Sequence, residues 1–550
     1  MVRRLRGWML VVGVVSVCVL ATTCSAAGPP AATGRTYYLS PAGDDDADGR
    51  SPATAWRSLD RANAVAFRPG DALLLEGGAR FTGTLVLDQR DGGDPAAPVV
   101  IGAYSAGGPV IEASHAPAVS ISTSGVEIRD LTAVGEGSAY DRWAGILLVN
   151  DRTDGRLLEH VHVSRVDVSG FKRGIEVTAS GPAGFHDVLV SESALHRNME
   201  AGFASHGSDF VAGSPGYAHS GIVLRDVAAF GNVGDPHNTT RNTGSGAVLG
   251  SVRGGLVERS RFFDNGAASV ASEGPLGVWA YDSTGVVIQQ SMSYRNRTAA
   301  TDGGGFGLDI NVSDSVLQYN LSYDNDGPGY QLYTWEANDA HTGNTVRFNI
   351  SRDDARRTIY GALTVLGRVN RSDVYQNTVV LTAATARERP PVVLIGPEVS
   401  AVSLRNNIVV TDGAGPLVSA AALPSSAVAL QGNDYHAQAG GWLVRWGDTV
   451  HASLDSWRTA TDQERIDGQP SGLSVDPRFV DFDASLDTAP AGSDLPAAAS
   501  GLRLDPASPL VGAGLDLSAL AGVEQGPMDY FGTPLADASP AVGAHRPALG

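Results

Sequence analysis

Asparagines at positions 198, 232, 265, 296 and 325 each close a short apolar phrase; they stand 34, 33, 31 and 29 residues apart, and Asp354 follows after 29 more. A recurrence in that range marks a repeat architecture, because a unit that small cannot bury its apolar face alone and must stack on its neighbours. The segments 188–198, 222–232, 286–296 and 316–325 all run through apolar alternation and a small polar residue to the closing amide. Within each unit Val, Ile and Leu recur at a spacing of two and are joined by Gly, Asn, Asp and Ser, as in short strands. Helix-length periodicity is nearly absent, so helical and leucine-rich solenoids fit badly. Parallel strands coiled into a β-helix fit well. A second series of phrases, beginning at Gly145, Gly174, Gly202, Gly277 and Gly307, supplies one more strand per coil. Asn320, Asn349 and Asn377 occupy matching positions in the first series, where stacked amides can hydrogen-bond from coil to coil.

At the front, Arg3, Arg4 and Arg6 precede an apolar run from Trp8 to Ala21 and small residues to Ala27. This pattern predicts a secretory signal over 1–27, too short for a stable membrane span, with Cys24 offering a lipoprotein alternative. Both cysteines, Cys18 and Cys24, lie in that leader, so a secreted mature chain relies on burial and ladders rather than disulfides. A net charge of -19 argues against nucleic acid, and weighs against a polyanionic substrate without a bridging cation. The expected organisation is a linker over 28–35, an N-terminal cap with the first coils over 36–117, the coil proper over 118–433 and a C-terminal capping segment over 434–550. A secreted monomer without a membrane span is expected.

Tyr37-Tyr-Leu-Ser-Pro-Ala-Gly, Asp48-Gly-Arg-Ser-Pro and Arg68-Pro-Gly-Asp at the front resemble the opening of many secreted carbohydrate-active β-helix proteins. Asn433-Asp-Tyr, Asp476-Pro-Arg-Phe, Asp505-Pro-Ala-Ser-Pro and Asp529-Tyr-Phe-Gly resemble their closing segments. On these residues the chain resembles the bacterial right-handed parallel β-helix proteins of the pectate-lyase-like superfamily. The resemblance implies an all-β solenoid with a small helical N-terminal cap and an irregular C-terminal cap. The stretch from Trp279 to Tyr330 also resembles one branch in which Asp-Gly-Gly-Gly-Phe and Tyr-Asp-Asn-Asp-Gly recur; neither likeness names a substrate.

The chemistry centres on Asp302-Gly-Gly-Gly-Phe-Gly-Leu-Asp309-Ile-Asn311. Leu308 and Ile310 alternate with Asp309 and Asn311, which in a strand turns the polar pair outward. Stacking 277–281 and 331–335 on either side predicts a panel of Trp279, Tyr281, Tyr333 and Trp335 around the acid, and aromatic faces beside a carboxylate suit a sugar. Asp309, Asp302 and Asp282 are the catalytic candidates; Trp279, Tyr281, Asn311, Tyr330, Tyr333 and Trp335 are the substrate-binding ones. One carboxyl of such a pair protonates the leaving oxygen while another attacks the sugar or activates water. No cofactor is required for that reaction. The second chemistry is calcium-assisted β-elimination, with Ca²⁺ held by loop acids such as Asp324 and Asp326 and a basic residue removing the proton. The sole lysine, Lys172, falls about four rungs, or roughly 20 Å, from Asp309. Arg295, Arg297 and Arg352 are closer in coil count. His206 and His237 read as cleft walls, proton donors or, preferably, bystanders, and the scattered histidines suggest no zinc site. The loops 205–217 and 232–243 should shape one wall of the groove. The favoured reading is a glycoside hydrolase acting on an extracellular polysaccharide, with a polysaccharide lyase, an epimerase or a non-catalytic glycan binder as alternatives.

Overall fold

The computed structural model describes residues 34–137, 142–382, 389–486, 495–538 and 540–548. The expected leader with Cys24, and the expected linker up to residue 33, lie outside them. Among the described residues the chain winds through three long sheets of 15, 14 and 13 strands, each coil giving one strand to each sheet in turn. All named strand pairs are parallel except two short hairpins near the C-terminal end, Val444–Trp446 with Thr449–His451 and Arg465–Ile466 with Gln469–Pro470. The first sheet already begins at Thr36–Leu39, paired with Ala72–Glu76, and runs to Val428–Gln431, so the segment 36–117 is continuous with the coil. Helix α1 (Leu59–Asn63) lies at that end. Ser58 caps it by accepting the Arg61 N–H, and Leu59 and Ala62 are buried. Helix α2 (Leu454–Thr461) lies at the far end and buries Trp457 edge-on against Tyr435 at 5.4 Å.

Two of the sheets follow the usual rule, with Val278, Phe306 and Leu308 of the 14-stranded sheet and Ile288 and Leu317 of the 15-stranded sheet packed inside. The 13-stranded sheet keeps the rule up to Phe262 and again from Val379 on, but three consecutive strands between them invert it. Met292–Tyr294, Leu321–Tyr323 and Ile350–Arg352 lie in register with Ser293, Ser322 and Ser351 on the inner side. The inverted strands meet the asparagine ladder at the corner that follows. Asn296 accepts the backbone N–H and side-chain amide of Asn265 at 3.3 and 3.0 Å, and gives the same pair of bonds to Asn325 at 2.8 and 2.9 Å. Asn296 Nδ2 also reaches Ser293 Oγ at 3.0 Å, and Asn325 Nδ2 reaches Ser322 Oγ at 3.0 Å. A buried amide must have its partners, and here the inward serines join the Phe262 and Ser293 carbonyls in supplying them. The ladder ends on the Asp354 carboxyl, which burial pushes up to about 7. The expected ladder through Asn320, Asn349 and Asn377 continues to Asn407 and Asn433 and ends on Glu464.

Met292, Leu321 and Ile350 of the inverted strands lie on the outer face, and so do Val380 and Ile408 of the next two strands, whose inner residues Val379 and Val409 are apolar as well. They pack against Leu502, Leu504, Leu510 and Tyr530 of the C-terminal segment, which therefore runs back along the flank as a second core instead of closing the end alone. The crowded corner also explains a column of glycines. A Cβ on Gly277 would sit 1.9 Å from Ser293 Oγ, and one on Gly305 would sit 2.4 Å from Ser322 Oγ. The pairing of Leu276 with Gly304 and of Val278 with Phe306 makes Gly305, not Gly307, the counterpart of Gly277. The sequence alignment of these two coils is off by two residues, a slip that conserves faces because the side-chain period of a strand is also two.

Candidate active site

Four consecutive strands of the 14-stranded sheet carry most of the candidates: β1 (Ser245–Gly250), β2 (Leu276–Tyr281), β3 (Gly304–Leu308) and β4 (Tyr330–Thr334). One outward row runs Val248, Trp279, Gly307, Gln331. The next runs Gly250, Tyr281, Asp309, Tyr333, with Asp309 one residue beyond β3 and its N–H bonded to the Ala280 carbonyl at 2.9 Å. The two-residue slip thus makes Tyr281, rather than Trp279, the neighbour of Asp309 in its row.

Strand alternation stops at Leu308, where the chain turns. Ile310 is only half-buried and lines the groove, and Val312 takes the place in the core. Asp309 is 9% exposed and accepts the Ile310 N–H at 2.9 Å. Burial first, then the nearby Asp302, with Glu273 and Asp282 adding to it, holds its carboxyl well above the ordinary range. Asp302 and Gly303 are both left-handed (φ 56° and 77°), and the turn sets the Asp302 carboxylate on the Gly274 N–H at 2.9 Å. Burial pushes Asp302 up to about 6, opposed by hydrogen bonds from the Tyr360 hydroxyl and the Gly274 N–H. Asp302 stays partly open to solvent although it lies deep among groove atoms. The hydroxyls of Tyr333 and Tyr360 are raised by burial first and then by these carboxylates, so both phenols keep their protons and serve as donors.

The groove continues toward β1 as a 310 Å³ cavity between Trp279, Tyr281, Glu273, Ile310 and Trp335 at one end and Arg173 and Arg241 at the other. Arg241 comes from the loop 232–243, and the loop 205–217 brings the charge of Asp209 to bear on Asp282. A slightly larger cavity of 340 Å³ lies between Arg259, Gln290 and the C-terminal Leu495, Met528 and Tyr530. The Asp226 carboxylate there is bound by Arg259 at 3.0 Å. Among the described residues, Asp226 is the one carboxylate that lines this cavity.

Several candidates stand in other roles. Tyr330 is 1% exposed, stacks on Phe306 inside the coil and donates its hydroxyl to the carbonyls of Asn320 and Ile350, so it cannot touch a substrate. Trp279 is 9% exposed, packed on Ala201, Ala204, Val248 and Leu276 with its indole N–H on Ser245 Oγ at 3.1 Å. It forms the floor of the groove rather than a projecting platform. Trp335 is 52% exposed and meets Tyr333 edge-on at 5.9 Å. The Asn311 amide donates to Asp282 at 2.7 Å and accepts from Asn338 at 3.0 Å, which spends it on positioning Asp282. Asp324 is bound by Arg297 and Arg356, and Asp326 by Arg297 and the Thr298 N–H, so neither offers the uncompensated oxygens a calcium ion needs. Lys172 pairs with Glu200 at 3.3 Å four strands away from β3, and Arg295 with Asp264 at 2.9 Å on another sheet. His206 binds Glu176 at 2.7 Å in the groove wall.

No family model matches the chain. One curated relative, a lacto-N-biosidase of Bifidobacterium longum subsp. longum, is 40% identical over 75 residues, which is 13% of this chain and 5% of that protein. The native crystal structure of a GH136 lacto-N-biosidase from Eubacterium ramulus is 17% identical, covering 75% of this chain and 68% of that one at a TM-score of 0.50. Pectate lyase Pel9A matches at 17% identity over 93% of this chain and 96% of that one, with a TM-score of 0.44. The chain has the pectate-lyase-like parallel β-helix fold. Two groove residues escaped the sequence reading. Glu273 precedes the Gly-Pro that opens β2, and Tyr360 stands in an irregular loop beside the 83% exposed Ile359. Neither position has a periodic signal, and only the coil register brings Glu273 near Asp309 and Tyr360 to Asp302.

Proposed function

We propose that the protein is a glycoside hydrolase acting on an extracellular polysaccharide or oligosaccharide, with Asp309 as general acid and Asp302 as its ionised partner. The observation that carries this is a carboxyl pair in a groove whose members are raised unequally. Asp302 lies at about 6, and the more deeply buried Asp309 is held well above the ordinary range. Such a pair divides the roles at neutral pH: Asp309 keeps its proton and Asp302 loses it. As the C1–O bond breaks, the proton of Asp309 passes to the leaving oxygen. Asp302, oriented by Gly274 and Tyr360, attacks C1 or deprotonates the water that does. Trp335 and Tyr333 offer faces to the sugar ring. The name carried by the two relatives, lacto-N-biosidase, supports hydrolysis and an oligosaccharide substrate. The charges that raise Asp309 are the acids Asp302, Glu273 and Asp282, and the arginines of the groove, Arg173 and Arg241, line its far end, which favours acid catalysis over β-elimination at the pair. The test is a digest of a panel of neutral and acidic glycans by wild type, Asp309→Asn and Asp302→Asn. New reducing ends from wild type alone support the assignment. Unsaturated, ultraviolet-absorbing ends, or full activity of Asp309→Asn, would overturn it.

A further inference from the structure

A second cluster of metal-type ligands lies on the 15-stranded sheet, away from the groove. Three adjacent strands supply it: Val126–Arg129, Leu157–Ser164 and Gly184–Ser191. Glu127 stands directly opposite His162 in the ladder. His160 and Asp187 are both left-handed (φ 56° each), and the pairs on either side, Glu159 with His186 and Val161 with Val188, place them opposite one another. The coils before and after put Gly125 and Gly221 at this position, also at positive φ. The pairing stays one residue to one, and the left-handed backbone alone re-aims the side chain. Here it brings the His160 ring to 4.0 Å from that of His162, in spite of the intervening inward Val161.

We propose that Glu127, His160 and His162 bind a divalent transition-metal ion of the zinc class, with Asp187 as the positioning residue. One ligand atom from each of the three lies within 4.8 Å of the others. His160 is 8% exposed, and its Nε2 has no hydrogen-bond partner; the Glu127 carboxylate is 3.7 Å away, too far for a bond. Buried ring nitrogens are normally satisfied, so an orphan facing a carboxylate and a second imidazole points to a missing cation. The Asp187 carboxylate receives His160 Nδ1 at 3.0 Å and His162 Nε2 at 3.1 Å. That fixes one tautomer on each ring and leaves His160 Nε2 and His162 Nδ1 as lone-pair donors, the carboxylate–histidine arrangement that orients metal ligands. Ligand atoms around tetrahedral zinc stand ~3.3 Å apart, so shifts on the order of 1 Å close the set. Two imidazoles and a carboxylate suit zinc, copper or nickel better than calcium or magnesium. Glu127 and His162 are only partly buried, which gives the ion an entry path and a solvent molecule as its fourth ligand.

The test uses the full chain without a histidine tag. Zinc bound after gel filtration is counted by mass spectrometry, affinity is measured by competition with a chromophoric chelator, and cobalt(II) is added as a spectroscopic probe. One zinc per chain and visible bands of four-coordinate cobalt are expected. Asp187→Asn should weaken zinc ~10–100-fold while a saturated sample still holds one ion, and Glu127→Gln and His162→Gln should weaken it further. His160→Gln risks misfolding at a buried left-handed site, so the two partly exposed ligands carry the test, with circular dichroism as the check on folding. Substoichiometric zinc at saturation, absent cobalt bands, or folded His162→Gln binding as wild type does would overturn the site.

Discussion

Replacing Asp302 by Asn should stabilise the protein while destroying its activity, and the gain should depend on pH. The carboxyl has a folded-state pKa raised by burial from 3.8 to about 6. The folded chain therefore binds this proton more tightly than the unfolded one, and stability falls as pH rises from the unfolded value to the folded one. At 1.36 kcal/mol per unit, a rise of about 2 units amounts to roughly 3 kcal/mol, and partial hydration of the groove reduces this to ~1–2 kcal/mol. Asparagine is nearly the same shape, and its amide oxygen still accepts from Gly274 and Tyr360, but it carries no charge. Urea denaturation followed by tryptophan fluorescence should show Asp302→Asn within ~0.5 kcal/mol of wild type at pH 4 and ~1–2 kcal/mol more stable at pH 7. Equal stability at both values, or a loss at pH 7, would refute the claim that the groove holds this carboxylate ionised at a cost.

The acid limb of kcat/KM should show an apparent pKa near 6 as Asp302 takes up its proton, and a flat profile between pH 5 and 7 would count against its role as the ionised partner. Asp309→Asn should lower kcat ~10²–10⁴-fold with the fold intact, measured as reducing-end release together with circular dichroism. Trp335→Ala should raise KM several-fold and change stability by less than ~0.5 kcal/mol, since the indole is 52% exposed. Trp279→Ala, by contrast, should cost ~3 kcal/mol through the lost packing on Val248 and Leu276. Asn296→Ala should cost ~3–5 kcal/mol in the same denaturation assay, because it strands the Asn265 amide and the Asn325 side of the ladder in a dry interior. A cost near 1 kcal/mol there would mean that water fills the gap.

The coil was legible because its signals are local and repeated. The spacing of the closing asparagines is the length of one turn, and Asn320, Asn349 and Asn377 do stack as their matching positions implied. Asp309 and Tyr333 came out as neighbours for the same reason. What the sequence hid was depth and register. Tyr330 and Tyr333 read alike, yet one belongs to the interior and the other to the groove, since the inward and outward rows differ by a single residue. Asp324 looks like a free loop acid until Arg297 and Arg356 arrive from neighbouring coils. Glu127, His160, His162 and Asp187 lie 60 residues apart from first to last, and their meeting depends on two left-handed residues, His160 and Asp187, for which spacing alone gives no cue.

The polar corner that holds the coil together also determines what the C-terminal segment must do. Where the ladder passes Asn296, Asn325 and Asp354, the inner side of the 13-stranded sheet carries Ser293, Ser322 and Ser351, each hydrogen-bonded to the ladder residue of its own coil. Strand alternation then forces the apolar neighbours outward, and water would meet Met292, Leu321 and Ile350 unless something covered them. The Leu502, Leu504, Leu510 and Tyr530 surface meets that need. The groove on the 14-stranded sheet is thereby left open, because the chain's own covering segment is committed to the opposite requirement on another face. On the sheet left uncovered, burial beside Trp279 and the loops raises Asp302 and Asp309. A carboxyl pair kept from water yet reachable by a sugar chain is the condition that acid catalysis at neutral pH requires.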